Sequence, residues 1–480
     1  MSVCISKYLV RYSVVSMSVW LGLFAVFVDL MIRTSLAEEN RGLCRITVLD
    51  KATDQPVPLV ELRTTNQLRF VTDNAGVIAF DAVEFMNRET WFDVLGHGYE
   101  VPADGFGMRG IRIKPQPEMS ITVKVERKNI AQRLGRLTGN GLFSESQKLG
   151  EFVDWKESTI VGCDTVQMTE YRGRAFWNWG DTTLARYPLG NFHMTGAYTD
   201  LDPFASLEFP IRPRFEYLFK PDGSPKPMAP IAGSGPTWLT GYISLKDSAH
   251  REHLVACYRK IKPPLDSYEI GLCEWQDEKQ EFQGTQVLWN ASEKTPAPTR
   301  VPEGHPVRWT DKEGRNWILF GNPFPSLRCR DAFEAWRDPS SWELLEIQKE
   351  LTSATSSEVV KPHTGSIAWN AFRQRWVTVF MQHFGKPSAF GELWYAESDS
   401  PLGPWGPTVK ILSHDNYTFY NPRLHGDFSS NDSPVLLFEG TYTHTFANKP
   451  QPTPRYDYNQ ILYRLDLDDA RLSPVQKIKN

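Results

Sequence analysis

Cysteine is scarce in this chain: six residues in 480, and no two are spaced as Cys-x-x-Cys. That excludes a cysteine-based zinc site and a dithiol redox motif. Charge of either sign is not in excess, with a formal net charge of −4. No basic field of the kind nucleic acid requires is therefore present. His-Glu-x-x-His does not occur, and the histidines match no local metal motif. Beyond residue 28 there is no apolar run long enough to cross a membrane. Helical periodicity is rare as well, and residues 330–336 are the clearest short helix candidate.

What is present begins with an export signal. Lys7 and Arg11 precede an apolar run at 12–28, and Ser35-Leu36-Ala37 supplies a small-residue cleavage site. Residues 1–37 read as a cleaved signal peptide in preference to an uncleaved anchor. The expectation is a secreted or periplasmic protein with no membrane attachment after cleavage. Leu43-Cys44 is a poor lipoprotein site because Arg-Gly precedes it. Cleavage leaves Cys44, Cys163, Cys257, Cys273 and Cys329, an odd number, so at least one has no partner within the chain. Most are expected as small buried residues, although Cys257 and Cys273 fall on neighbouring predicted strands.

From 44 to 127 short alternating strands are separated by polar turns, as in Cys44-Arg-Ile-Thr-Val-Leu-Asp and Val77-Ile-Ala-Phe. Residues 129–143 are basic, partly amphipathic and end in turn residues, so 128–157 reads as a linker leading into the main region. From 158 to 472 a unit repeats. Apolar strands centre on Trp177, Ala256, Leu319, Thr378 and Leu437, about 60 residues apart in the later copies. Each is preceded by a shorter run: Gly162-Cys-Asp-Thr-Val, Leu239-Thr-Gly-Tyr-Ile, Gly304-His-Pro-Val-Arg, His363-Thr-Gly-Ser-Ile and Tyr420-Asn-Pro-Arg-Leu. The fold expectation is all-β, a five-bladed β-propeller after a small β-sandwich, with a long sandwich or jelly roll as the alternative.

In a propeller the first strand of each blade lines the axis. Asp164, Thr240, His305, His363 and Asn421 should then converge on one funnel, where water and a polar ligand would offset the cost of burying them. The best-formed copy, 158–182, reads as a hairpin turning at Tyr171-Arg-Gly-Arg, with Asp164 in its first strand and Asp181 just past its second. Glu439 occupies the matching place in the last copy. The 16 Trp, 17 Tyr and 27 Phe suit β cores and could also supply stacking surfaces. Trp177, Trp179 and Trp238 are candidates, with core packing expected for at least two of them. Residues 441–458, with three prolines, read as a loop over one face carrying His444.

Two resemblances add to this. The Val-x-Asp…Pro-Val-Pro opening and the Thr72-Asp-Asn-Ala-Gly turn resemble transthyretin-like or carboxypeptidase-regulatory-like sandwiches, modules that usually accompany an enzyme. Gly162-Cys-Asp-Thr-Val with Phe176-Trp-Asn-Trp-Gly-Asp-Thr, and Glu392-Leu-Trp-Tyr-Ala-Glu-Ser-Asp-Ser-Pro-Leu-Gly-Pro-Trp, resemble five-bladed propeller glycoside hydrolases of the family-43/117-like superfamily. The resemblance spans about two thirds of the chain. It implies an inner-strand Asp of the first blade as general base, the place Asp164 fits, and a Glu of a middle blade as acid. Here His305 stands where that carboxylate is expected. A related family is thought to use a His as acid, which would suit His305 or His363.

The functional expectation is an exported glycoside hydrolase acting on a poly- or oligosaccharide. Asp164 is the base, and His305, His363 or Glu439 the acid or its modulator. Asp181, Arg186, Trp179, Trp238, Asn421 and His425 would bind substrate. No cofactor or catalytic metal is called for, though a structural calcium in the channel is compatible with the lining. A carbohydrate is the expected partner and nucleic acid is not. The alternative is a non-catalytic propeller binding a glycan or a protein. A lyase or metal-dependent esterase is the third reading.

Overall fold

The computed structural model describes residues 42–139, 141–155, 159–204, 207–428, 433–448 and 451–476. The predicted signal peptide lies outside them. Within them the protein is nearly all β, and no helix exceeds the five residues of Phe333–Arg337. None is long and apolar enough to cross a membrane.

Five four-stranded antiparallel sheets follow one another along the chain. Their innermost strands are Gln167–Tyr171 (sheet I), Thr237–Lys246 (II), Val307–Thr310 (III), Pro362–Asn370 (IV) and Thr418–Leu424 (V). The second strands carry the most apolar sequence. Arg174–Trp179, Glu252–Lys262, Asn316–Gly321, Arg375–Gln382 and Val435–Thr443 are central and shielded on both faces. This burial is why the second strands were the visible repeat.

Five apolar clusters join the sheets in a circle. Phe176 of sheet I packs with Tyr242 and Leu254 of sheet II. Val255 meets Ile318 and Phe320 of sheet III. Phe324 meets Ile367 and Phe380 of sheet IV. Val377 and Tyr395 meet Phe419 and Phe438 of sheet V. Leu437 and Leu462 of sheet V then meet Trp177 of sheet I. A meander that packs on its successor, with the last on the first, is the β-propeller arrangement.

The circle is fastened by an element read as linker. Gln132–Arg136 is wholly buried and supplies the outer strand of sheet V, pairing with Asn459–Asp466. Its sequence, Gln-Arg-Leu-Gly-Arg, hides this because two of five residues are arginines. Arg133 lies over the Tyr99 ring and Arg136 over Phe143 and Tyr456, so aromatic faces cover the charged stems.

Before that strand, two four-stranded sheets enclose one core containing Ile46, Val48, Leu62, Phe80 and Phe92. Their Thr72–Gly76 turn docks on the ring. Asn74 donates to the Arg136 and Ile211 carbonyls and accepts from the Arg136 amide, while Asp73 Oδ2 accepts three bonds from Ser144 and Ser146. All five described cysteines are buried and unpaired, Cys257 and Cys273 included.

Candidate carboxylate site at the mouth of the ring

The inner strands are tied to one another at their leading ends. The Gly304 amide donates to Thr240 Oγ1 (2.9 Å), and the Gly365 amide to Asn322 Oδ1 (2.7 Å). Asn421 Nδ2 donates to Thr165 Oγ1 (2.7 Å). The expected residues Asp164, Thr240, His305, His363 and Asn421 lie at or next to these separate ties and do not form one cluster.

Asp164 is not inside a strand. The inner strand of sheet I begins at Gln167, and the short strand Ile160–Cys163 pairs instead with Thr182–Leu184. Asp164 sits in the link between them. Thr165, at φ +48°, turns the chain there, and Asn421 faces it at φ +49°. A β-branched residue in the left-handed region costs energy and persists only where its surroundings hold it. The holding groups come from sheet V. Thr441 Oγ1 accepts the Thr165 amide (3.0 Å), and Gln460 Nε2 donates to Thr441 Oγ1 and to the Cys163 carbonyl. Gly162 is required because a Cβ would lie 2.1 Å from the Tyr458 carbonyl oxygen.

The Asp164 carboxyl accepts from the Tyr420 hydroxyl (Oδ2, 2.6 Å) and from Tyr458. Burial raises its pKa, and these donors oppose the rise. Asp181 lies across the hairpin: its carbonyl accepts the Asp164 amide, and the Gly180 amide donates to the Asp164 carbonyl. Burial first, then the charge of Asp164, push the Asp181 carboxyl up to about 7, with Trp238 acting the other way. Trp238 Nε1 is directed at the Asp181 carboxyl, but neither it nor Asp181 Oδ1 completes a full hydrogen bond. Two like carboxyls side by side do not ionise together readily. The hydroxyl donors favour the anion at Asp164, so Asp164 is the readier of the two to ionise and Asp181 the readier to hold a proton.

His305 faces a different space, a cavity of about 540 Å³ on the axis, lined from the inner strands of all five sheets. Arg423, Arg308, Ser366 and Trp369 also line it; Asp164 and Asp181 do not. Burial, then the Arg423 charge, hold His305 at about 3, so it is neutral near pH 7 and cannot serve as a ready proton donor there.

Several expected site residues lie elsewhere. Glu439 and His425 are sealed beneath the surface with no exposure, Nε2 to Oε1 at 2.8 Å. Burial holds Glu439 up to about 8 and His425 well below its usual value. Both are therefore neutral, an acid O–H donating to an imidazole nitrogen. Trp179 is fully buried, stacked on Trp177 at 5.9 Å and 9°, so it is core and no platform. Alternation along one strand puts both rings on the same face, a pattern that sequence alone reads equally as platform or core. Arg186 is exposed in the turn before Tyr187–Asn191 and lines a small cleft with Gly223 and Pro225. His363 is exposed and stacks on His383. His444 Nδ1 bonds Asp457 Oδ2 (2.9 Å). Tyr420 and Tyr458 were missed; the one signal was Tyr420 heading an inner run beside Asn421. Among the described residues no group of three or more His, Cys, Asp or Glu is arranged to hold a metal ion.

No family model matches the chain, and no curated protein does. Solved structures align with it at low identity. An exo-1,5-α-L-arabinanase from a bovine ruminal metagenomic library is 10% identical, over 64% of this chain and 93% of that one, with a TM-score of 0.36. The α-L-arabinanase of Cellvibrio cellulosa is 10% identical, over 62% and 90%, at 0.37. The exo-β-1,3-galactanase of Phanerochaete chrysosporium is 8% identical, over 64% and 61%, at 0.35.

Proposed function

We propose that this protein hydrolyses glycosidic bonds, with Asp181 as proton donor and Asp164 as the carboxylate that activates water or attacks the sugar. The observation that carries the reading is the pair itself. One carboxyl is raised to about 7, beside one whose anion accepts from two tyrosine hydroxyls. Glycoside hydrolysis needs one group in each state. A sugar hydroxyl, which both accepts and donates, would complete the unfinished bond between Trp238 Nε1 and Asp181 Oδ1. Asp181 thus takes the acid role that the sequence assigned to His305, His363 or Glu439.

A glycan-binding protein without turnover is the second reading. It is favoured by one observation: the residues that sheets II to IV present to the axial cavity include no carboxylate.

The deciding experiment is an assay of the purified protein on aryl glycosides and on arabinan, galactan and other plant and algal polysaccharides, beside Asp164→Asn and Asp181→Asn. Release of sugar by the parent but not the variants supports the hydrolase. Retention of a glycan by all three without release supports the binding protein. Equal turnover by all three would sink the assignment of both carboxylates.

A further inference from the structure

A series of aromatic rings begins at the carboxylate site and runs outward over sheets V and IV. Tyr420, which donates to Asp164, stands 6.3 Å from Phe446 at 79°. Phe446, in the loop after Val435–Thr443, stands edge-on to Phe390 at 6.3 Å. Phe390 is 5.4 Å from Phe384 and 5.4 Å from His363. His383 lies 4.2 Å from Phe384 and stacks on His363 at 5.1 Å. Phe384 and Phe446 are each 65% exposed. One exposed phenylalanine is ordinary, but a contiguous series of rings that ends at two perturbed carboxyls points to an interaction site.

We propose that these rings are a stacking platform that holds an oligosaccharide of about three sugar residues or more, with Phe446 beside the reacting residue and Phe384 at the distal end. The proposal rests on the hydrolase reading above. Sugar rings carry apolar C–H faces and hydroxyl edges, so they can cover an aromatic face while their rims stay hydrated. The spacing between neighbouring rings is comparable to the length of one sugar residue in a chain. Imidazoles interleaved with phenyl rings suit a ligand that is apolar only on its faces better than they suit an acyl chain. Partial desolvation, then the neighbouring His383, also hold His363 below its usual pKa.

The test uses the full chain carrying Asp164→Asn, so that ligands persist, and calorimetric titration with plant and algal oligosaccharides of two to six residues. Affinity is expected to rise with length to at least the third residue. Phe446→Ala should weaken binding about tenfold at every length. The loss in Phe384→Ala should grow with chain length, and Phe384→Trp should restore affinity. Both side chains are exposed, so thermal unfolding should stay with the parent and separate lost binding from lost fold. Affinity independent of length, or a Phe384→Ala protein that binds like its parent, would overturn the platform while leaving the hydrolase reading intact. Failure to bind any oligosaccharide, with no turnover by the unsubstituted protein, would overturn both.

Discussion

Two pairs of ionisable groups lie on the seam between sheets I and V. Asp164 and Asp181 sit at its mouth. Glu439 and His425 sit within it. Burial raises all three carboxyls, and Glu439 is displaced to a value slightly higher than that of Asp181. Displacement alone would therefore choose the wrong pair. The difference lies in what surrounds each. The inner pair has no exposure at all and is joined Nε2 to Oε1, so no ligand reaches it, although Glu439 Oε2 and His425 Nδ1 also lack a hydrogen-bond partner. The mouth pair is only partly buried and has hydroxyls aimed at only one member. A perturbed acid becomes a site when a ligand can reach it and its partners split the pair into two protonation states.

The comparison is most sharply tested by removing one member of each pair. Asp164→Asn should cost on the order of a thousandfold in turnover of any accepted substrate. It should leave stability unchanged or improved, because an amide costs less to desolvate than a carboxylate and still accepts from the Tyr420 hydroxyl; hydrolysis rates and urea unfolding on the same preparation check both halves. Glu439→Ala should show the converse. It strands His425 Nε2 in the core and opens a void, at about 3 kcal/mol in urea unfolding, with turnover per folded molecule preserved. A thousandfold loss of specific activity in that variant would erase the distinction.

A smaller effect comes from moving a carboxylate without changing it. A methyl at Gly180 would stand 2.2 Å from Asp164 Oδ1. Gly180→Ala should therefore displace that oxygen and lower turnover by about one to two powers of ten, with the acid limb of the pH profile shifted.

The remaining effects are slopes of stability against pH. Both Asp181 and Glu439 are raised in the folded state, so the unfolded chain loses its proton first. Stability falls as pH climbs, from about 4 to about 7 for Asp181 and from about 4.5 to about 8 for Glu439. Asp181→Asn should flatten the first interval and Glu439→Gln the second. Only the former should change the pH at which turnover declines, near pH 7 in the parent.

The chain disclosed some of this and withheld the rest for physical reasons. Second strands such as Arg375–Gln382 were legible because shielding on both faces demands an unbroken apolar run. Inner strands were offset by a few residues where the chain bends before pairing, so Asp164 and His305 read as strand residues and are not. Gln132–Arg136 was illegible because its arginines are covered by rings from outside the strand, Tyr99 and Tyr456 far away in sequence. The carboxylates of the mouth were found from the hairpin, but their roles could not be assigned. Tyr458 lies on a distant loop, and nothing local to Asp164 or Asp181 says which would receive the hydroxyls.

The closing strand also sets the order in which the molecule can be assembled. The bond from Thr138 to Asn459 joins residues 321 apart in sequence. A growing chain therefore completes the two N-terminal sheets early, then carries a strand edge waiting for a neighbour until almost the last residues have emerged. Sheets I to IV can form while it waits, but the seam that holds Asp164 needs Thr441, Tyr458 and Gln460. The carboxylate mouth is thus the last part of the molecule to be completed. A chain stopped short of residue 459 could contain most of the fold without the groups that hold Asp164 in place.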